Sequence, residues 1–297
     1  NLLDNQSNTA TFVLPEQGET GDIILNEILF NPPSEGTDFV EVYNNSDKYI
    51  NLQDWKLSNH NDDAKTISET AVVMPPQTYL LLTADKEIIL NLYQNADENL
   101  VWEMSSLPSF PSDDGSVVLI NNLDTEVDRF DYQDDFHFGL LQDDDGVSLE
   151  RIDFSAPTND PNNWHSAASD AEFATPTKLN SQNVRSPINT ASQDCISLNE
   201  EIITPDGDGF RDILQLRYEC QKSGVLATIK IYDATGREIR TLLQNQLIST
   251  TGFIAWDGLD QNNKKTAIGY YVILIELYDL DGNTDVIKKK VVVGARF

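Results

Sequence analysis

From Asp22 onward the chain consists of short apolar runs separated by turn-forming residues. In the first half these runs are "DIILNEILF", "DFVEVYNN", "INLQDWKLSN", "TISETAVV", "TYLLLTA" and "SVVLIN". Many short strands at regular spacing, with proline, glycine, asparagine and aspartate between them, are typical of a sandwich or barrel and not of an α/β fold. One stretch, "DKEIILNLYQN", spaces its apolar residues as a short helix does. The sequence therefore predicts an all-β protein with one short helix.

A second series of runs begins at Cys195. It reads "CISLNEEII", "ILQLRYEC", "LATIKIYD", "EIRTLL", "GFIAWDG", "GYYVILIELYD" and "DVIKKKVVV". Alternate residues are apolar in several of them, which is the pattern of half-buried strands, and seven strands in about a hundred residues fit an immunoglobulin-like sandwich. A Ser/Asn/Pro-rich stretch precedes this series and reads as an interdomain linker.

The charge of the chain is distributed unevenly between its two halves. The formal net charge is -29, and residues 1–194 carry 8 basic and 35 acidic residues, against 12 and 14 from Cys195 onward. The step in charge supports two different modules. A solvated surface accounts for the acidity, and cation binding is the alternative. Binding of nucleic acid is excluded as an expectation, because phosphates are neutralised by clustered Lys and Arg.

The first module resembles the lamin-tail domain, an Ig-like β-sandwich. The resemblance lies in Asn26-Glu27, Asn31-Pro32, Asp38-Phe39, Glu41, Asn44, Leu52, Trp55 and Leu57, followed by "GVSLERID", "DPNNW" and "ATPTKLNS". Thr177 stands where that family usually has glycine. The resemblance covers roughly residues 22–182 and implies an interaction module.

The second module resembles the Ig-like domain of the flagellar hook-capping protein. The matching text is "IKIYDATGREIRTLL" and "GFIAWDGLDQNNKKTAIGYYVILIE". Its opening, "TPDGDGFRD", is similar to the start of C-terminal domains of surface and gliding proteins exported by the type IX secretion system, with Asp206 and Arg211 in place of two asparagines. Together the resemblances imply an exported surface protein of the Bacteroidetes type.

These observations predict two Ig-like β-sandwich domains in tandem. We expect a leader or linker over 1–21, the lamin-tail-like sandwich over 22–182, a linker over 183–194 and the C-terminal sandwich over 195–297. No apolar run reaches the length of a membrane-spanning helix. The first residues lack the basic and apolar regions of a signal peptide, so an exported chain would have lost that peptide upstream.

Two cysteines, Cys195 and Cys220, both lie in the second module. If the strands around them form a hairpin, its centre falls within "TPDGDGFRD" and the cysteines face each other, which favours a disulfide. Two reduced, buried thiols are the alternative. An exported protein favours the disulfide.

The same "TPDGDGFRD" stretch is the candidate metal site. Asp206, Asp208 and Asp212, with the Phe210 carbonyl between them, supply oxygens of the kind that Ca²⁺ prefers, and Gly207 and Gly209 allow a tight loop. The spacing is not that of an EF-hand. The alternative is an acidic turn whose aspartates accept nearby backbone N–H groups.

Catalytic motifs are nearly absent. The sequence has no G-x-S-x-G, H-E-x-x-H or P-loop, and its three histidines, His60, His137 and His165, are expected to be surface or hydrogen-bonded residues. Acidic pairs such as "SDDGS", "YQDDF" and "LQDDDG" are expected in turns. Trp55 and Trp256 are expected in cores, whereas Trp102 is the freer candidate for sugar binding.

The sequence therefore predicts a non-enzymatic, extracellular or cell-surface protein that acts as an interaction or attachment module. Its expected partners are other surface or secretion-system proteins, and the C-terminal domain is the part that the type IX export machinery would engage. Two alternatives remain open. In the first, the chain is an accessory part of an extracellular nuclease or phosphatase, and in the second it is a carbohydrate-binding module.

Overall fold

The computed structural model describes residues 14–59, 61, 63–139, 141, 143–184, 195–279 and 281–295. Residues 1–13 of the predicted leader, His60, and residues 185–194 of the predicted linker lie outside the described residues. Nearly all regular elements are strands, which confirms the all-β prediction. The predicted helix is present as α1 (Lys86–Leu92), and Asp85 caps it by accepting the Ile88 N–H at 3.0 Å.

The first half contains twelve strands among its described residues. Their bounds are β1 Ile23–Leu29, β2 Phe39–Asn44, β3 Ile50–Asn51, β4 Lys56–Ser58, β5 Lys65–Thr66, β6 Val73–Met74, β7 Tyr79–Thr83, β8 Val101–Glu103, β9 Asp114–Ile120, β10 Glu126–Gln133, β11 Leu149–Arg151 and β12 Trp164–Ser166.

The second half contains eight strands among its described residues. Their bounds are β13 Ile196–Leu198, β14 Ile202–Ile203, β15 Leu214–Glu219, β16 Val225–Asp233, β17 Glu238–Ile248, β18 Thr251–Trp256, β19 Gly269–Tyr278 and β20 Thr284–Val293.

The first sandwich packs a six-stranded sheet against a four-stranded one. The strand orders are β12-β11-β1-β2-β7-β8 and β10-β9-β4-β5, and β3 pairs with β6 separately. Alternate residues of both sheets point into one apolar core, in which Trp55 is 1% exposed. Phe130 of β10 stacks on Trp164 of β12 with ring centroids 3.9 Å apart, which joins the two sheets at one end of the core.

The outer face of the six-stranded sheet is covered as well. Helix α1 places Ile89 and the following Tyr93 against Leu81 and Phe39 in a second, smaller apolar cluster. The segment 174–183, which we call the strap, covers the adjacent part of this face and is mostly buried. Every residue of β1 and β2 is therefore buried, on both faces of the sheet.

The second sandwich packs sheet β13-β15-β18 against sheet β14-β20-β19-β16-β17. Its apolar core is separate from that of the first sandwich and surrounds Trp256, which is fully buried. The predicted strand "CISLNEEII" is wrong as a single element. It breaks after Leu198, so that β13 pairs antiparallel with β15 whereas β14 crosses to the other sheet and pairs parallel with β20.

Two further predicted strands of the first half are interrupted. In "INLQDWKLSN" the chain turns at Asp54, whose φ of 61° is left-handed and whose N–H donates to the Ser68 carbonyl at 2.8 Å. In "TISETAVV" only the ends are strand. Strand β10, in contrast, went unpredicted, because its charged residues conceal the alternation of Val127, Phe130 and Tyr132, which a bulge interrupts.

No helix within the described ranges is long and apolar enough to cross a membrane. The longest α-helix there, α1, has 7 residues.

Candidate functional site

The acidic loop 204–212 joins β14 of one sheet to β15 of the other. Its tight path requires left-handed backbone at Gly207 (φ 88°) and Gly209 (φ 84°). The carboxylates of Asp206, Asp208 and Asp212 converge, each offering an oxygen within 4.8 Å of the others. The structure therefore brings together the three acidic residues of the predicted site.

Asp212 organises this loop. Its carboxylate accepts the backbone N–H groups of Asp206 at 3.0 Å, Gly207 at 2.7 Å and Gly209 at 2.7 Å. These bonds, first that from Gly207, lower the pKa of Asp212. Asp212 is therefore charged at neutral pH and holds the loop around its own carboxylate.

The other two aspartates also bond to the backbone ahead of them. Asp206 Oδ1 accepts the Asp208 N–H at 3.2 Å, and Asp208 Oδ1 accepts the Phe210 N–H at 2.8 Å. The Phe210 carbonyl accepts the Thr204 hydroxyl at 3.3 Å, and its ring is exposed. The loop thus has the hydrogen bonds of the acidic turn and, at the same time, a cluster of oxygens suited to a hard cation.

The predicted disulfide is present. Cys195 and Cys220 are bonded, with their Cα atoms 5.0 Å apart, and no free cysteine remains. The register differs from the prediction by one residue, because Ile196 faces Tyr218 and the Cys195 carbonyl accepts the Glu219 N–H. Closing this loop stabilises the sandwich by about 3.5 kcal/mol in the chain-entropy model.

A row of buried acids crosses the six-stranded sheet of the first sandwich. The register pairs Glu41 of β2 with Glu27 of β1, and Glu27 with Glu150 of β11. Directly opposite residues of an antiparallel pair point to the same face, so the three side chains lie side by side under the strap. All three residues are fully buried.

Burial changes the acidity of this row. Desolvation, and next the charge of Glu150, raise the pKa of Glu27 from its usual value near 4.5 to about 8. Desolvation likewise raises the pKa of Glu41 well above its usual range, with Glu27 as the second cause, and raises that of Glu150. We call these three residues the glutamate row.

The strap supplies the hydrogen-bond donors for the glutamate row. Glu27 Oε1 accepts the Thr175 N–H at 2.8 Å, and Glu41 accepts the Thr177 N–H. Glu150 Oε2 accepts the Ser181 hydroxyl at 2.7 Å and the Gln182 N–H at 2.9 Å. Thr177 adopts a left-handed φ of 65°, which explains why the resembled family uses glycine there.

The second sandwich is joined to the first by hydrogen bonds from this same region. Thr250 donates its N–H to the Ser181 carbonyl at 2.7 Å and its hydroxyl to the Asn183 carbonyl at 2.8 Å. The Gly224 N–H donates to the Gln182 side chain at 2.8 Å. The end of the strap is therefore a bonded part of the contact between the sandwiches.

Asp170 forms the second part of that contact. Asp170 Oδ1 accepts the Ser249 N–H at 2.9 Å and the Ser249 hydroxyl at 2.8 Å. Asp170 Oδ2 accepts the Tyr218 hydroxyl. Burial and the neighbouring Asp170 raise the pKa of Tyr218. A cleft of about 1120 Å³ opens beside this contact, with Phe173 on one side and Tyr278 on the other.

Residues 16–134 match the family model described as Lamin Tail Domain. The first sandwich thus carries a lamin tail domain, as the resemblance implied. The match ends before Glu150 and the strap, although both complete the buried network of the same sandwich. A search of curated proteins found no match for the chain.

Several solved structures are similar to the chain at low sequence identity. One is CopC from Methylosinus trichosporium OB3b, at 19% identity over 33% of this chain and 86% of that one, with a TM-score of 0.24. Two others are proteins of Porphyromonas gingivalis. Dimeric latent PorU is 12% identical over 92% of this chain and 20% of that one, with a TM-score of 0.27. PorZ, described as a surface component of the type-IX secretion system, is 12% identical over 91% of this chain and 38% of that one, with a TM-score of 0.26. The chain spans about a fifth of that PorU structure and 38% of that of PorZ.

The tryptophan singled out as a sugar-binding candidate takes part in the packing of the lamin tail domain. Trp102 is partly buried against the apolar core, and its indole N–H donates to the Ile67 carbonyl at 2.9 Å. Trp55 and Trp256 are buried, as expected. The structure gives no support to a sugar-stacking role for Trp102.

Both described histidines are buried rather than on the surface. His137 Nδ1 lies 3.0 Å from the Ser166 hydroxyl, and His165 Nδ1 lies 3.0 Å from the Ser166 carbonyl. Burial lowers the pKa of both. They are neutral core histidines, in agreement with the hydrogen-bonded alternative of the prediction and not with the surface one.

The glutamate row and the contact between the sandwiches were missed from the sequence. A signal was present: Glu27, Glu41 and Glu150 each interrupt an apolar run, in "NEIL", "VEVY" and "LERI". An acid flanked by apolar residues within a predicted strand indicates a buried carboxyl wherever both faces of the sheet are covered.

Proposed function

We propose that this chain is a non-catalytic, exported interaction module whose C-terminal sandwich attaches or delivers it at the cell surface. The observation that carries the proposal is the lamin tail domain joined by hydrogen bonds to a second sandwich. Such a pair presents one extended surface in place of two loosely tethered domains. The partners are other surface or secretion-system proteins.

The location outside the cell is supported by the disulfide. The bond between Cys195 and Cys220 persists in oxidising compartments and is rare in the cytosol. The engagement of the C-terminal domain with type IX export machinery is proposed from the resemblance of "TPDGDGFRD" and the text that follows it. The buried acids support a non-catalytic role, because the glutamate row accepts internal hydrogen bonds beneath the strap.

The test compares surface delivery with and without the C-terminal sandwich. The full precursor and a version lacking 195–297 would be expressed in a bacterium with an active type IX system and in a strain without that system. Surface biotinylation should label only the full version, and only in the active strain. Equal labelling of both versions would show that the C-terminal sandwich has no role in delivery.

The proposal that the chain has no catalytic activity is tested separately. The purified chain should not turn over phosphodiester, phosphomonoester, peptide or glycoside substrates. Turnover that persists through repurification and disappears with a single aspartate or histidine substitution would contradict the proposal.

We further propose that the loop 204–212 binds Ca²⁺ through Asp206, Asp208 and Asp212, with the Phe210 carbonyl as a further ligand. The convergence of the three carboxylates supports it, since calcium takes six to eight oxygen ligands. At a calcium concentration about 100 times the Kd, the second sandwich should gain about 2.7 kcal/mol, or roughly 11–22 °C in melting temperature.

Thermal unfolding with calcium and with chelator measures this gain. Asp208→Asn should abolish it, whereas Asp281→Asn, which removes an exposed charge elsewhere in the same sandwich, should preserve it. If calcium did not change the melting temperature of the native chain, the loop would be an acidic turn and not a calcium site.

A further inference from the structure

The glutamate row places its acids in a region without a neutralising cation. The described residues show no ion pair from Glu27, Glu41 or Glu150 to a lysine or arginine. Arg151, the next residue after Glu150, donates to the Leu25 carbonyl and the Thr158 hydroxyl instead. Three buried negative charges without a counter-ion would be very costly, so protons must take the place of cations.

The hydroxyl of Thr175 shows where one proton lies. Its oxygen is 2.6 Å from Glu150 Oε1 and 3.2 Å from Glu27 Oε2. A hydroxyl has one hydrogen to donate, so it can satisfy only one of two ionised carboxylates. The shorter contact assigns that hydrogen to Glu150. Glu27 Oε2 can then bond to the Thr175 oxygen only as a donor, that is, in its protonated form.

The remaining donors agree with this assignment. Glu150 also accepts two hydrogen bonds from Ser181 and Gln182, which favours its ionised form. Glu27 Oε1 accepts the Ser148 hydroxyl at 2.6 Å and the Thr175 N–H, so this oxygen carries no hydrogen. The chain of bonds runs from protonated Glu27 through Thr175 to ionised Glu150.

The titratable groups around the row come from four elements. On β2, Glu41 lies next to Glu27 and itself has a raised pKa. On β12, His165 faces Glu150 in the register and is held neutral by burial. Beyond α1, Tyr93 is buried near Glu27, and its pKa is raised by burial and then by that carboxylate. On the strap, Lys178 is exposed.

We propose that the glutamate row is a proton-dependent latch, which holds the strap on the lamin tail domain and, through Ser181–Asn183, fixes the orientation of the second sandwich. When the proton of Glu27 leaves, Glu27 and Glu150 are both charged on either side of one hydroxyl. Detachment of the strap from the sheet exposes both carboxylates to water. The bonds from Thr250 and Gly224 to the strap are weakened by the same movement.

The direction of the pH dependence follows from the raised pKa of Glu27. Opening the latch returns this pKa from about 8 towards 4.5. Between these values the closed form keeps a proton that the open form releases, so rising pH favours opening. The stabilising contribution is therefore complete below pH 4.5 and is lost as the pH rises through about 8.

The decisive variant is Glu27→Gln in the full chain. The amide oxygen replaces Oε1 as an acceptor, and the amide nitrogen donates to Thr175 as the protonated acid does, so the variant mimics the closed latch. Hydrogen exchange of the peptide 174–184, corrected for intrinsic rates, should be roughly 200-fold faster at pH 8.5 than at pH 5.5 in the native chain, because the opening equilibrium rises about tenfold per pH unit up to the pKa of Glu27. In Glu27→Gln the exchange of this peptide should be equally slow at both pH values.

The matched control is Glu69→Gln, which removes an exposed charge of the same domain and should behave as the native chain does. Strap exchange of the native chain that does not depend on pH would overturn the proposal. So would a Gln variant that exchanges rapidly at pH 5.5, because the carboxyl would then be needed for packing and not for its proton.

A second measurement needs no variant. Infrared difference spectra of the native chain should show the carbonyl band of a protonated, buried carboxylic acid at pH 6, and the band should disappear as the pH rises through about 8. Small-angle scattering should show a larger radius of gyration over the same range, as the second sandwich loses its orientation. A missing acid band at pH 6 would overturn the latch even if Glu27→Gln failed to fold.

Discussion

Replacing Arg151 by methionine is expected to lower the free energy of unfolding of the lamin tail domain by about 3–5 kcal/mol. The guanidinium is nearly fully buried and donates to the carbonyls of Leu25 at 3.1 Å and Ala156 at 2.6 Å, and to the Thr158 hydroxyl at 2.8 Å. Asp128, with an oxygen 3.8 Å away, is its partly buried counter-ion. Methionine fills the space but leaves these acceptors without donors.

Urea unfolding of the full chain measures this loss. Arg151→Lys is the comparison, since it keeps the charge and loses the planar fork, and it should recover only part of the stability. Arg129→Met removes a more exposed arginine of the same domain and should change the stability by under about 1 kcal/mol. If Arg151→Met were as mild as Arg129→Met, the arginine would not hold the 153–158 turn on β1.

Replacing Trp256 by alanine is expected to destabilise the second sandwich by about 3–5 kcal/mol. The indole is fully buried, lies edge-on to Tyr271 with centroids 5.4 Å apart, and donates its N–H to the Leu259 carbonyl at 2.9 Å. Alanine leaves a cavity between the two sheets and an acceptor without its donor.

Thermal unfolding followed by calorimetry separates this effect from that of Arg151→Met. The transition of the second sandwich should move to lower temperature, while Phe253→Ala, on the exposed side of the same strand β18, should leave it nearly unchanged. A similar shift for the two variants would show that the core of this sandwich does not depend on Trp256.

The sequence predicted the positions of most strands because alternate burial leaves a period of two in the residues. "ATIKIYD" and "YYVILIELYD" became β16 and β19, which pair along most of their length. The prediction failed where the chain changes sheets. After Leu198 the polar residues 199–201 interrupt the apolar run, and the following β14 pairs with β20, far along the sequence. Such a partner leaves no trace in the local pattern.

The three aspartates of the acidic loop lie close together in the sequence, and the structure places their carboxylates within reach of one another. The calcium ion remains a proposal, because the same hydrogen bonds also form an acidic turn. The disulfide was predicted from the symmetry of a hairpin and is present, although the register is shifted by one residue.

The sequence by itself determined an all-β chain, its lamin tail domain, and the acidic turn with its neighbouring cysteines. These depend on local periodicity, on turn residues and on short motifs. Only the tertiary structure decided that Glu27, Glu41 and Glu150 form one buried row, because strand register and the covering strap bring together residues up to 123 positions apart. The contact of the strap with the second sandwich was decided in the same way. A carboxylate in a strand is solvated or buried according to what covers its face, and that cover lies elsewhere in the chain.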